Sequence, residues 1–338
     1  MSGAPERLAV ADLEHLVGRA LERAGTSSAN AASVARALVA AEIDGQKGHG
    51  LSRVASYAAQ VRAGKVDGHA APVSERTRPA ALAIDAAHGF AYPALDLAVA
   101  QLPAMAQACG VAAAGIRRSH HAGALGLVVE RLAEAGLIAL VFANTPSAMA
   151  AWGGQRGLLG TNPIAFAAPR LGGRPIVIDL ALSEVARGKI LAAAQKGDAI
   201  PLGWATDRNG QPTTDAKAAL DGTLLPSGGA KGAALALMVE LLAAAVTGSL
   251  FAYEASSFLD QKGPPSSTGQ LIIALDGSAL GANASMQARV AALALEIEQE
   301  ADARVPGSRR YSLRDSARHN GIAVDAQMLS QLRALTTS

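Results

Sequence analysis

In the segment KGHGLSR, His49 lies between two glycines and four residues before Arg53, so one turn of helix would set an imidazole and a guanidinium on one face. That pair suits an acid/base group beside a carboxylate clamp, although the same segment also reads as an exposed helix turn with an incidental histidine. In RRSHHAGALG, His120 and His121 are adjacent, and in an extended chain their side chains would diverge, so at most one faces a given site. No HExxH pattern or cysteine cluster accompanies them, and the expectation is that no metal is bound. LLGTNPIAFAAP presents Thr161 and Asn162 before a proline-led strand, and IDLALSEVARGK ends a strand at Asp179 with Ser183 placed to cap the next helix. GGAKGAALALMVELL sets Lys231 at a helix N-terminus, where free N–H groups favour an anion such as a phosphate. RVPGSRR puts Arg304, Arg309 and Arg310 around a Pro-Gly turn, a second possible phosphate contact or a solvated basic loop.

The elements that must position these groups follow from apolar periodicity. Leu8, Leu13, Leu16, Val17, Ala20 and Leu21 predict a helix that stops at Gly25, and Thr26, Ser27 and Ser28 offer caps for a second through Val34, Leu38 and Ala41. A further helix spans Val54 to Ala63, and another runs from Leu95 to Ala108 after a short strand and turn in AALAIDAAHGFAYPA. VAAAGIRRS, LIALVFANT, NPIAFAAPR and RPIVIDLAL then read as strands, with a helix from Gly126 to Ala135 between them. Asn209-Gly210 signals a hairpin, and GQLIIALD at 269 to 276 is a late strand before helices return from Ser285 onward.

Bulk properties narrow the partners. The 338 residues are half apolar, enough for a large core. A net charge of +2 gives no electrostatic case for nucleic acid or an acidic membrane surface. The longest oily run, Gly232 to Gly248, carries Glu240 and suits a buried helix better than a bilayer span. With Cys109 as the single cysteine and no secretory leader pattern, a cytoplasmic protein is expected. G-x-G-x-x-G and G-x-x-x-x-G-K-[ST] are both absent, so a nucleotide site must be of another design.

DGQKGHGLSR, SHHAGALG, GTNPIAFAAP, DLALSEVARGKI, QPTTDA, GGAKGAALALMVELLAA and RVPGSRR, in this order from about Leu8 to about Leu332, make the chain similar to one family. It is that of the NAD(P)-dependent malate, lactate, ureidoglycolate and sulfolactate dehydrogenases, which do not use a Rossmann fold; the family includes piperideine-2-carboxylate and pyrroline-2-carboxylate reductases. The likeness implies an α/β fold: a non-Rossmann cofactor domain with a largely antiparallel sheet, residues 111–284, and a mainly helical substrate and dimerisation domain from both chain ends, residues 1–110 with 285–338. It implies a homodimer or a multiple of one, NADP or NAD as cofactor, and hydride exchange at C2 of a small 2-hydroxy or 2-oxo acid.

Carried over by position, the resemblance makes His49 and His121 the acid/base candidates and Arg53 the clamp on the substrate carboxylate. It assigns the dinucleotide to His121, Ala122, Gly123, Ala124 and Leu125, with Thr145, then Asp179, Leu180 and Ala181, Lys231, and Arg304, Gly307, Arg309 and Arg310. Thr161 would lie between substrate and cofactor. The chain resembles most the branch that oxidises (2R)-3-sulfolactate, for which Lys47 and Arg118 could hold the second anionic group. It departs from most members at Gly48, where they have serine, and at Ala230 and Ala233, where they have His and Tyr. The imine reductases pair that serine with an aspartate where Lys189 stands here, so both of their relay residues are missing. Cyclic imino acid reduction is the alternative activity, and a nucleotide-binding regulatory protein the non-enzyme one. His120 reads as a bystander, and His15, His69, His88 and His319 as structural or solvated.

Overall fold

A computed structural model describes residues 5–281 and 285–337. The chain runs β1 (Glu6–Leu8), α1 (Val10–Arg23), α2 (Ser28–Ile43), α3 (Val54–Arg62), β2 (Val73–Arg78), β3 (Ala81–Asp85) and α4 (Ala91–Cys109). There follow β4 (Val111–Ser119), α5 (Gly126–Glu134), β5 (Ile138–Ala143), β6 (Met149–Ala150), β7 (Gly157–Leu159), β8 (Ile164–Ala168) and β9 (Ile176–Leu180). Next come α6 (Arg187–Lys196), α7 (Ala216–Asp221), α8 (Ala230–Glu240), β10 (Thr268–Leu275) and α9 (Ser285–Gln299). α10 (Ser308–Asn320), β11 (Ile322–Val324) and α11 (Ala326–Leu335) end the chain.

The expected N-terminal helices form for the expected reasons. α1 buries Leu13, Val17, Ala20 and Leu21, one helical face, and α2 starts where Ser27 accepts a bond from the Asn30 amide at 3.4 Å. Their apolar faces share a core with Val54, Tyr57, Leu329 and Leu332, so α1, α2, α3 and α11 pack as one unit. The chain ends are stitched by an antiparallel pairing of β1 with β11, Leu8 facing Ile322.

A seven-stranded sheet in the order β2-β3-β4-β10-β5-β8-β9 forms the second unit. Only β3 and β4 pair in parallel within it, so the expected largely antiparallel, non-Rossmann α/β fold is what the chain adopts. α4 and α5 cover one face through Leu95, Leu102, Val129 and Leu132, and α8 packs on the other through Ala236 and Val239.

Two expectations need correction, and one strand was missed. The domain boundary placed near residue 110 falls inside the sheet's territory, because β2, β3 and α4 join β4 and its core. β2 went unrecognised because VSERTR is an edge strand almost wholly exposed, with the charges that edges carry and no apolar alternation. Ser183 does not cap α6: its hydroxyl donates to the Val185 carbonyl at 2.9 Å, and the cap position is Ala186.

Candidate active site

Two tight turns, Lys47–His49 and Leu51–Arg53, follow α2 and aim His49 at the end of β4. There His49 Nδ1 lies 3.2 Å from His121 Nε2, with the rings stacked at 5.1 Å between centroids. His121 Nδ1 lies 2.6 Å from the Tyr57 hydroxyl, which lies 3.1 Å from that of Tyr92. Both nitrogens of His121 are therefore engaged, whereas His49 Nε2 has no hydrogen bond among the described residues. Burial and the nearby positive charge of Arg53 hold both imidazoles below the usual histidine range, His121 by far the more, and Asp179 opposes this slightly at His49. Neutral rings can take a proton. Burial pushes the Tyr57 phenol up to about 12 and that of Tyr92 well up, so both stay protonated at neutral pH. Arg53 donates from Nε to the Gly48 carbonyl at 2.6 Å, which fixes its stem while its charge acts on the whole cluster.

Tyr57, Tyr92 and Phe258 were not legible as site residues. Phe258 packs against both His120 and His121, its ring 5.1 and 5.2 Å from theirs. Its segment is tied down from α3 and the turn after it. Gln60 Nε2 donates to the Phe258 carbonyl at 2.9 Å, and the buried ammonium of Lys65 donates to the carbonyls of Ser257, Asp260 and Lys262 at 2.5, 3.0 and 2.8 Å. His120 is buried between Tyr57, Phe90 and Phe258 with no bond to either ring nitrogen among the described residues, and burial pushes it down to about 3.

Thr145 and Thr161 meet at 3.2 Å between hydroxyls, and the Thr161 amide donates to Thr145 Oγ1 at 2.9 Å. Asn162 beside them adopts a left-handed backbone (φ +40°), and its amide nitrogen donates to Glu240 Oε2 at 2.7 Å. The other carboxylate oxygen of Glu240 accepts from Asn144 Nδ2 at 3.1 Å and from the Ala252 amide at 2.7 Å. This buried carboxylate therefore ties together the loops after β5 and before β8. A π-helical turn, Leu241–Ala245, follows it directly, a feature that recurs at functional sites.

Of the expected dinucleotide residues, the loop before α5, Asp179 and the turn at residues 307–310 meet. Ala122, Ala124 and Leu125 are buried, so the loop before α5 offers its backbone rather than its side chains. Gly123 has φ +66°, and a Cβ there would lie 2.5 Å from the Tyr92 hydroxyl, so only glycine fits. Asp179 Oδ2 accepts from the Gly126 amide at the start of α5 (2.9 Å) and from Gln46 Nε2 (3.2 Å). A Cβ on Gly126 would overlap Arg310 Nη1, which is itself buried without a partner among the described residues. An orphaned guanidinium nitrogen beside a helix N-terminus that begins with glycine fits an anionic dinucleotide. Gly307 packs on Val177, and Arg309 approaches Gly45, which brings the Pro-Gly turn to the Gln46–Asp179 contact. Leu180, Ala181, Lys231 and Arg304 are exposed, Lys231 in the first turn of α8.

Two expected substrate groups differ in fate. Arg118 is held bidentately by Asp85 at 2.8 and 2.7 Å, with Arg117 on the same carboxylate, so its guanidinium fork is already engaged. Asp85, 33 residues earlier, gave no sign of this in a linear reading. Lys47 is exposed on the turn that carries His49. Among the remaining histidines, His88 Nδ1 pairs with the Ser267 hydroxyl at 2.9 Å and His319 Nδ1 with the Asp315 carbonyl at 2.7 Å.

A family model described as Malate/L-lactate dehydrogenase matches residues 8–333. The chain is 45% identical over 331 residues to a (2R)-3-sulfolactate dehydrogenase (NADP(+)) of Chromohalobacter salexigens, covering 98% of each protein. It is 41% identical over 334 residues to a Delta(1)-pyrroline-2-carboxylate reductase of Ancylobacter novellus, again covering 98% of each. The fold superimposes on the crystal structure of delta1-piperideine-2-carboxylate reductase from Pseudomonas syringae pv. tomato with a TM-score of 0.92 at 40% identity, covering 98% of this chain and 99% of that one. A histidine pair, an arginine and a glycine-lined turn thus sit on a chain whose sequence and fold both match throughout, and the chain belongs to the malate/L-lactate dehydrogenase family.

Proposed function

We propose that this chain exchanges a hydride between NAD(P) and C2 of a small 2-hydroxy or 2-oxo acid, with 3-sulfolactate first and malate and lactate next. The observation that carries the reading is the hydrogen-bonded, neutral His49–His121 pair under the charge of Arg53. The nicotinamide, when bound, takes or gives the hydride. What remains for the protein is to hold a carboxylate, align a hydroxyl and move one proton. Arg53 supplies a planar clamp for the carboxylate, and His49 Nε2 takes the hydroxyl proton in oxidation or returns it in reduction. Thr161, bonded to Thr145, offers a hydroxyl where substrate and dinucleotide meet. Gly126, Asp179, Arg310 and Lys231 are the groups that would hold the dinucleotide. Lys47 is the cation available for a sulfonate or a second carboxylate.

The similarity to a pyrroline-2-carboxylate reductase supports a second reading, reduction of a cyclic imino acid. Gly48 provides no hydroxyl beside His49, although a side chain there would meet nothing within 4 Å. The two readings separate in one assay: R- and S-sulfolactate, malate and lactate with both nicotinamides, beside reduction of pyrroline-2-carboxylate. We expect turnover of the hydroxy acids and its loss in His49→Ala and His121→Ala; rates near wild type in both variants would remove the mechanism.

The same reading includes a homodimer working in the cytoplasm. α8 and the turn after it are apolar nearly all round, and Leu235, Met238, Leu241 and Val246 lie exposed on them, a surface that a second copy would cover. The exposed thiol of Cys109 suits a reducing compartment. No helix among the described residues is long and apolar enough to cross a membrane.

A further inference from the structure

The hydrogen bonds behind the histidine pair form a continuous line: His49 Nδ1 to His121 Nε2 (3.2 Å), His121 Nδ1 to Tyr57 Oη (2.6 Å), and Tyr57 Oη to Tyr92 Oη (3.1 Å). Tyr92, with Ala122 and Ala124 of the loop before α5, in turn lines a cleft of about 610 Å³ between α2, α4 and α5, open to solvent and lined too by Ser33, Arg36, Asp96 and Arg131. Each member of the line has one proton to give and one lone pair to receive, so all four can point the same way at once. A line of this kind can carry a proton end to end without any member holding a lasting charge.

We propose that His121, Tyr57 and Tyr92 form a proton path from His49 to this cleft, so that the hydroxyl proton leaves the site through the protein. The inference rests on the hydride-exchange reading above. As the hydroxyl becomes a carbonyl, its proton bonds to His49 Nε2 and the proton on His49 Nδ1 passes to His121 Nε2. The proton on His121 Nδ1 passes to the Tyr57 oxygen, that of Tyr57 to the Tyr92 oxygen, and that of Tyr92 to water in the cleft. One proton enters, one leaves, and every ring ends neutral. Reversal of the line supplies the proton for reduction. On this reading His121 acts through His49 rather than on the substrate, and Tyr57 and Tyr92 are positioning and relay groups.

Tyr92→Phe is the discriminating variant, because Tyr92 touches neither imidazole and the substitution keeps the ring. In single turnovers of the enzyme with NADP and the hydroxy acid, nicotinamide reduction is followed by absorbance and proton release by a pH-indicator dye. Loss of one buried hydrogen-bond partner predicts release about tenfold slower in Tyr92→Phe, with KM for the acid unchanged, and at least as slow in Tyr57→Phe. In the ligand-free enzyme carrying ¹⁵N-histidine, exchange of the His121 ring proton with water should slow in both variants. If Tyr92→Phe releases protons and exchanges as wild type does, the path is overturned even where Tyr57→Phe is impaired, since Tyr57 would then only fix the His121 tautomer. Should a tyrosine variant fail to fold, a proton inventory on the wild type decides: a curved dependence on heavy-water fraction supports several protons moving together, and a linear one overturns the path. His49→Ala and His121→Ala serve as the separate control, because wild-type turnover in both would sink the acid/base reading itself.

Discussion

His120 should make this protein sensitive to mild acid, and removing it should relieve that sensitivity. Its ring is enclosed by Tyr57, Phe90 and Phe258, and neither nitrogen has a partner among the described residues. Burial, with the charges of Lys65 and Arg53, holds it down to about 3, against an ordinary 6.5. Below 6.5 the unfolded chain binds a proton that the folded chain refuses until about 3, so the stability is fully present above 6.5 and is lost as pH falls. At about 1.4 kcal/mol per unit, this one histidine costs about 2 kcal/mol between about pH 7.5 and about pH 5. His121, shifted the same way, adds to the slope. His120→Leu keeps an apolar group in an aromatic box and breaks no side-chain hydrogen bond, since the bonds from Thr268 and Gln270 go to the backbone carbonyl. Urea unfolding at a series of pH values should show the variant losing about 2 kcal/mol less than wild type across that window, the difference in slope approaching about 1.4 kcal/mol per pH unit only well below 6.5. Parallel pH profiles for the two proteins would refute the reasoning.

Gly126→Ala should raise KM for the dinucleotide about tenfold, equivalent to about 1.4 kcal/mol, because the added methyl overlaps Arg310 Nη1 beside Asp179. The melting temperature should barely move, and an unchanged KM would show that this cradle holds no cofactor. Arg53→Ala should lower kcat/KM for the acid by about 100-fold through loss of two charge-assisted bonds. Because Arg53 pushes His49 and His121 down, its removal should also shift the acid limb of the oxidation profile to higher pH; a shift to lower pH would contradict the electrostatics. Lys47→Ala should weaken sulfolactate and malate relative to lactate, whereas Arg118→Ala, whose guanidinium is already engaged by Asp85, should leave that ratio unchanged in a substrate panel.

What the sequence disclosed and what it withheld divide along a physical line. Helices with one apolar face, such as α1, and strands bounded by glycine, proline or asparagine were legible because the signal is local. The segments of His49, Arg53 and His121, which the fold brings together, also stood out, since each mixes charge with backbone freedom. Tyr57 and Tyr92 escaped notice because an aromatic residue on a helix reads as core, and only the fold sets their hydroxyls 3.1 Å apart. Lys65 escaped for the converse reason, as a lysine after a helix reads as solvated until three carbonyls from residues 257–262 are seen to close on it. The edge strand β2, all charge and no alternation, carried no strand signal.

The place of β10 in the sheet has a consequence for how the chain is made. It lies between β4 and β5, yet it follows β5 by more than a hundred residues. While a ribosome adds residues 144–267, roughly ten seconds or so of synthesis, β4 and β5 have emerged without the strand that joins them. For that interval each presents an unpaired edge, the kind of surface that neighbouring nascent chains can pair with. A chain cut short between β5 and Thr268 would keep that exposure permanently, so the last third of the sequence guards the solubility of the middle third as well as completing its fold.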